Sequence, residues 1–159
     1  MRVLVACEES QEVCKAFRAK GHEAFSCDLQ PCSGGHPEWH YEGSVFDVIA
    51  DGWDMMIAHP PCTYLTLTGN RWFSIDVYGN KAIERHIDRH EASIFFLKLY
   101  CLDIKMICIE NPIGSINSIL KPSQIIQPYF FGDEAQKTTC LWLKGLPLLM
   151  HNKEINLFD

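Results

Sequence analysis

The sequence predicts an α/β layer sandwich on a mostly parallel sheet, and three observations carry that expectation. First, an unbroken β-branched run, RVLVAC, is followed by a stretch of helical period and then by a second apolar run, HEAFSCD, ending on Asp28. Strand, helix, strand within about thirty residues is a crossover unit, which makes its two strands parallel. Second, two more apolar runs, WDMMIAH and KMICIE, have the length and composition of buried strands. Third, each of these stops at proline, in His59-Pro60-Pro61 and Asn111-Pro112, where the ladder loses its donor.

The elements follow in order. RVLVAC is a buried strand, short and continuous. EESQEVCKAFRAKG is a helix with Val13, Ala16 and Phe17 as its apolar stripe, Ser10 as N-cap and Gly21 as C-cap. HEAFSCD is the second strand. Residues 30–43 form a loop rich in Gly, Pro and aromatics, and SVFDVIADG a short helix and turn. WDMMIAH is the third clear strand. Residues 63–80 keep no steady period and read as a long loop, the kind that tends to carry function. KAIERHIDRHEASIFFLKLYC is the strongest helix, with Ile83, Ile87, Ile94, Leu97 and Cys101 marking its buried side. KMICIE is the fourth core strand. A short helix near SINSILK, an extended QPYFFGD and a strand TTCLWLKG complete the chain. Without repeats, low-complexity tracts or a linker, residues 1–159 read as one domain.

The composition is that of a soluble globular domain: 159 residues, 47% apolar and 21% charged. No apolar run approaches the roughly 20 residues of a membrane span. The start, MRVLVACEES, meets two acids at once and is no signal peptide, so a cytoplasmic protein is expected. The formal net charge is −6 and the positive residues are scattered. Only weak duplex-DNA binding by one chain is expected; a nucleotide, a single strand, a basic partner or a homo-oligomer stays open. Of the eight cysteines, Cys7, Cys27 and Cys108 lie in strand-like runs and read as small hydrophobes of a reducing compartment.

In parallel α/β sheets ligands bind beyond the carboxyl ends of the strands. Here those ends carry Cys7-Glu8-Glu9, Asp28, His59-Pro60-Pro61-Cys62 and Glu110-Asn111-Pro112. An acid ending the second strand suits a ribose hydroxyl pair, so Asp28 points to an adenosine-type ligand, or else to a helix cap or a solvated acid. Cys62, held after two prolines, is a nucleophile, a pocket wall or a plain core thiol. His59 either polarises Cys62 or satisfies a backbone group. Trp39, Tyr41, Tyr64, Trp72 and Phe73 either stack on a base or close the core. Cys27, Cys32, His36 and His40 are ligand types, but their spacing is not that of a familiar finger; His86 and His90 lack a third ligand. No metal is expected.

Pro-Pro-Cys after one core strand, Glu-Asn-Pro after the next, and FGDEAQKT near the end resemble DNA cytosine-5 methyltransferases. More closely, HPPCTYLT, ENP, QIIQPYFFG and CLWLKGLP resemble small phage-borne proteins of that type, over nearly the whole chain. The resemblance implies a Rossmann-like three-layer sandwich of the class I methyltransferase type, mostly parallel with a C-terminal antiparallel strand. It implies S-adenosylmethionine as cofactor, cytosine in a nucleic acid or nucleotide as substrate, and the host cytoplasm as location. Cys62 would attack C6 of the base, Glu110 would meet N3, and Asn111 would orient the Cys62 turn. Cys7, Glu8, Glu9, Asp28, Asp47 and Pro60 would surround the cofactor, with Ser44 standing closer than Asp47 to the expected adenine contact. His59, Pro61, Tyr64 and Lys137 would meet the substrate. The rival is a nucleotide-binding protein without catalysis, or another base-modifying enzyme. The first loop reads ACEESQ without glycine, the arginines of the family's Gln-x-Arg-x-Arg segment fall on Thr138 and Cys140, and no separate target-recognition domain is expected.

Overall fold

The computed structural model describes residues 1–150; residues 151–159, the end of the expected single domain, lie outside them. It is a mixed α/β fold. Seven strands form one sheet in the order β3-β2-β1-β4-β5-β7-β6. They are β1 Arg2–Ala6, β2 Glu23–Asp28, β3 His40–Glu42, β4 Met55–Ala58, β5 Met106–Pro112, β6 Gln124–Ile126 and β7 Thr139–Lys144. β1 pairs in parallel with β2 and β4, β2 with β3, and β4 with β5. Only β7 is reversed, antiparallel to both β5 and β6.

Side chains alternate across a strand, so β1 feeds both faces. Val3 and Val5 pack with Cys14 of α1, Glu12–Ala19. Leu4 and Ala6 pack with Phe96 and Leu99 of α4, Asn80–Tyr100. The sheet therefore has a helix on each face. The remaining helices are single turns: α2 Val45–Val48, α3 Ile75–Tyr78 and α5 Ile116–Ile119. Among the described residues no helix is long and apolar enough to cross a membrane.

Five strands fall where the apolar runs place them. The loop expected over 30–43 instead contains β3, and the loop over 63–80 contains a 3-10 helix, Leu67–Phe73, followed by α3. QPYFFGD is not extended; Pro128–Phe131 is a 3-10 turn, and β6 precedes it. Ser10 does not cap α1. The N-cap is Gln11, in the left-handed region at φ 61°, and the Glu8 carboxylate accepts from Val13 N and Cys14 N. Ala16 is exposed, while Val13 and Phe17 pack on the sheet with Cys14.

The face of α4 also differs. Ile83, Ile87, Ile94 and Cys101 are exposed; Ala82, Ser93, Phe96 and Leu99 are buried. The helix is turned by about one residue, or about 100°, from the stripe its isoleucines suggest. Small residues, Ala82 and Ser93, bring it close to the sheet, and Arg85 and Arg89 fall on that inward side at helical spacing.

Candidate active site at the strand tips

A cavity of about 410 Å³ opens on the α4 side of the sheet, beyond the ends of β1 and β2. Cys7, Cys27 and Asp28 form its floor, Gly43, Ser44 and Val45 one side, and Pro61 and Tyr64 another. Asp88, Glu91, Ala92 and Phe95 close it from α4 at spacings of three and four, so they share one helix face. Asp28 Oδ1 accepts from Gln30 N at 2.9 Å, which fixes the carboxylate at the rim. Burial, then the charge of Asp28, then Cys27 push the Cys7 thiol up to about 12, so it stays neutral and is no nucleophile. Burial, then Asp28 and Asp47, likewise push Cys27 up to about 11. Among the described residues, three carboxylates line this cavity and no Lys, Arg or His does.

The β1–α1 loop is covered by a second loop. Ser33 N donates to Glu9 O at 2.9 Å, and the Ser33 hydroxyl to the Glu9 carboxylate. Gln11, fully buried, accepts from His36 N at 3.0 Å and donates to His36 O at 2.8 Å. Gly34 lies so close that a Cβ would stand 2.4 Å from Ser10 O. With no glycine of its own, the loop turns at Cys7, φ 58°, and Gln11, φ 61°.

Of the residues expected around a cofactor, Cys7 and Asp28 therefore line the cavity. Glu8 leaves that set: it is 6% exposed and both its oxygens serve the α1 N-terminus. Glu9 leaves it as well, since its carboxylate accepts from Ser33 under the covering loop. Asp47 lies outside the lining, where Ser44 stands instead. Pro60 is buried and turns its carbonyl to Asn111.

The ends of β4 and β5 are fastened together. Asn111, 2% exposed, donates through Nδ2 to Pro60 O at 2.8 Å. The Cys62 carbonyl accepts from Leu65 N and Thr66 N, making a tight turn. That turn is locked to the chain after β5: Ser115 N donates to Leu65 O at 2.7 Å, and Thr66 bridges Gly114. A Cβ on Gly114 would lie 2.0 Å from Leu65 O, so only glycine allows this approach. Cys62 is half-buried in the turn, whereas Pro61 and Tyr64 on either side of it reach the cavity.

Glu110 and His59 project from the opposite face to Asn111 and Pro60, by strand alternation. His59 Nδ1 lies 3.6 Å from Glu110 Oε2, a contact rather than a formed hydrogen bond. His59 is still the main group lowering the Glu110 pKa. Burial opposes it, and the charge of Lys137 adds to it. Glu110 is thus held as a carboxylate. Lys137 is exposed and acts on it through charge. His59 Nε2 is buried without a hydrogen-bond partner among the described residues.

The metal-ligand types do not converge. His40 bonds Ser26 Oγ and Gln30 O, and His36 stacks on Trp39 at 3.7 Å. His86 bonds Phe73 O. Among the described residues no three His, Cys, Asp or Glu side chains gather as a metal site. Sequence reasoning missed Asp88, Glu91 and Phe95 as cavity walls; their spacing on α4 was the available signal.

No protein-family model matches the chain, and no curated protein matches it. Among solved structures, one similar chain belongs to the co-crystal structure of WbdD and a kinase inhibitor, at 12% identity and a TM-score of 0.50. The match covers 94% of this chain and 37% of that one, so this chain spans little more than a third of it. The likeness is one of fold alone.

Proposed function

We propose that this chain is a class I methyltransferase-type protein of the cytoplasm that transfers a methyl group from S-adenosylmethionine to C5 of cytosine in a nucleotide or nucleic acid. The observation that carries the reading is the Asn111–Pro60 bond, which ties the Glu110 strand to the turn presenting Cys62. The single reversed strand β7 supports the fold type.

The cavity's chemistry suits the cofactor. Its size falls in the range of small-ligand pockets, and Val45, Pro61 and Phe95 offer apolar walls to a purine. Asp28 would take the ribose hydroxyls. Three acids without a cation favour a ligand carrying sulfonium and ammonium charges and oppose one carrying phosphates. S-adenosylmethionine supplies the electrophilic methyl group when bound.

The residues of this chain would do the rest. Cys62 as thiolate bonds C6 of the base, and the displaced π electrons make C5 nucleophilic. Once C5 carried the methyl group, its proton would pass to solvent water, the C5–H electrons would re-form the C5–C6 double bond, and the C6–S pair would return to Cys62 as thiolate. Glu110, ionised beside His59, would accept from the exocyclic N4 amino group of the base, and it would have to take up a proton before it could donate to N3 as charge builds on the ring.

One feature favours the second reading, a nucleotide-type binder without catalysis: the loop bearing Ser33 and Gly34 covers the β1–α1 turn. Calorimetry with S-adenosylmethionine, joined to trapping on a 5-fluorocytosine substrate, separates the two. The methyltransferase reading expects binding and a covalent adduct that Cys62→Ser abolishes while cofactor affinity stays. Binding without an adduct supports the second reading, and no binding at millimolar cofactor overturns both cofactor claims.

A further inference from the structure

Arg85 is a guanidinium without an anion. Among the described residues it makes no hydrogen bond and no ion pair, and its Nε is buried with no acceptor. Its Cζ lies 5.1 Å from the centre of the Tyr64 ring and 5.4 Å from that of Phe73. Nη2 sits beside Gly69, 3.6 Å from where a Cβ would be.

Arg89, one turn later, shows what a structural arginine looks like here. Its Nε donates to Tyr64 O and its Nη2 to Asn70 Oδ1, both at 2.7 Å, and it lies 3.4 Å over Phe73. Burial, and then the charge of Arg85, lower its pKa. Two guanidinium groups a turn apart on an inward helix side repel, and partly buried charges are ordinarily paired. Glu84 and Asp88 flank Arg85 in sequence, yet neither forms an ion pair with it. No carboxylate among the described residues neutralises Arg85.

Its place says which anion. Arg85 contacts Tyr64, two residues after Cys62, and Tyr64 also walls the acidic cavity. Arg71 and the 41%-exposed Trp72 precede Phe73 in the same 3-10 helix, and Arg71 lies 4.6 Å over the Trp72 ring. Guanidinium groups interleaved with aromatic faces suit a phosphate joined to bases. We propose that Arg85 binds the phosphate attached to the nucleotide whose base enters at Cys62. This deepens the cytosine reading and rests on it for the base alone.

The test is calorimetry on wild type and Arg85→Gln with cytidine, cytidine monophosphate, a single-stranded hexamer containing one cytosine, and a thymidine hexamer. The expected result is about a ten-fold loss for phosphate-bearing ligands in Arg85→Gln, with cytidine unchanged. The salt slope of strand binding should fall by about 0.7, one phosphate contact on a single strand. A loss for the monophosphate and the strand supports a terminal phosphate; a loss for the strand alone supports the bridging diester. Arg85→Lys keeps the charge and should keep the wild-type slope, which separates charge from folding. Equal losses for cytidine and its monophosphate, or a lysine variant with the glutamine slope, would overturn the proposal. If the thymidine hexamer behaves as the cytosine one does, the phosphate site stands and the cytosine reading fails. If cytidine binds wild type and phosphate adds nothing, the cytosine reading stands and this site falls.

Discussion

Replacing Asn111 tests the joint between the two strand tips. Asn111 is 2% exposed, and its Nδ2 donates to Pro60 O at 2.8 Å in a buried setting. Pro60 is itself buried and, as a proline, has a carbonyl but no donor. Asn111→Ala leaves that carbonyl unpaired, which costs about 1–3 kcal/mol. For a domain of this size each kcal/mol lowers Tm by roughly 2–4 °C, so a loss of about 2 kcal/mol means roughly 4–8 °C. Asn111→Asp is the sharper variant. It is nearly isosteric, but an ionised carboxylate cannot donate and faces a carbonyl oxygen, so it should cost at least as much as alanine. Urea denaturation with an unchanged m-value measures the loss, and 5-fluorocytosine trapping at Cys62 should slow in both variants. A loss under about 0.5 kcal/mol for both, or an aspartate variant more stable than the alanine one, would refute the role given to this bond.

Two further outcomes follow from the same geometry. Glu8→Ala removes the carboxylate that accepts from Val13 N and Cys14 N and should cost about 1 kcal/mol, as capping losses do, seen as a lower urea midpoint; Ser10→Ala should change little. Glu110 has a lowered pKa in the fold, so its contribution is present above about pH 4.3 and is lost as pH falls through the folded value. His59→Gln removes the main lowering influence and leaves burial opposed by Lys137 and Thr139, so the stability Glu110 contributes above about pH 4.3 should shrink and the acid-side loss should flatten; denaturation midpoints from about pH 3 to 6 read this, and profiles of equal steepness would count against it.

The sheet was legible where residues carry their own signal. β1, β2, β4, β5 and β7 are apolar runs that end at acids, prolines or turns. β3 and β6 have three residues each and no fully buried position; they exist because β2 and β7 offer free edges, and that is a property of the partner strand. The α1 cap was missed for a related reason. Glu8 reaches the helix only because Cys7 and Gln11 adopt left-handed backbone, which the residue types do not announce. The α4 stripe misled because three isoleucines outweigh Ala82 and Ser93 in any count of apolar residues, although small residues bring the helix closest to the sheet.

The candidate site divides along the same line. The place of Asp28 in the cavity and the joint of Asn111 to the Pro60 turn were visible because strand ends in a parallel sheet gather at one edge, whatever lies between them in sequence. The α4 contribution was not, since a one-residue turn of that helix decides which of Asp88, Glu91, Arg85 and Arg89 face inward. That turn also changes what the −6 charge means. The acids gather around the cavity, while two guanidinium groups without an ion pair among the described residues, Arg71 and Arg85, lie against the aromatic rings of Tyr64, Trp72 and Phe73. A net charge averaged over the chain argues against a broad basic surface that grips duplex DNA. It says nothing against one phosphate held close to Cys62, because a single pair of opposite charges within about 4 Å outweighs screened charges beyond a Debye length of about 8–10 Å.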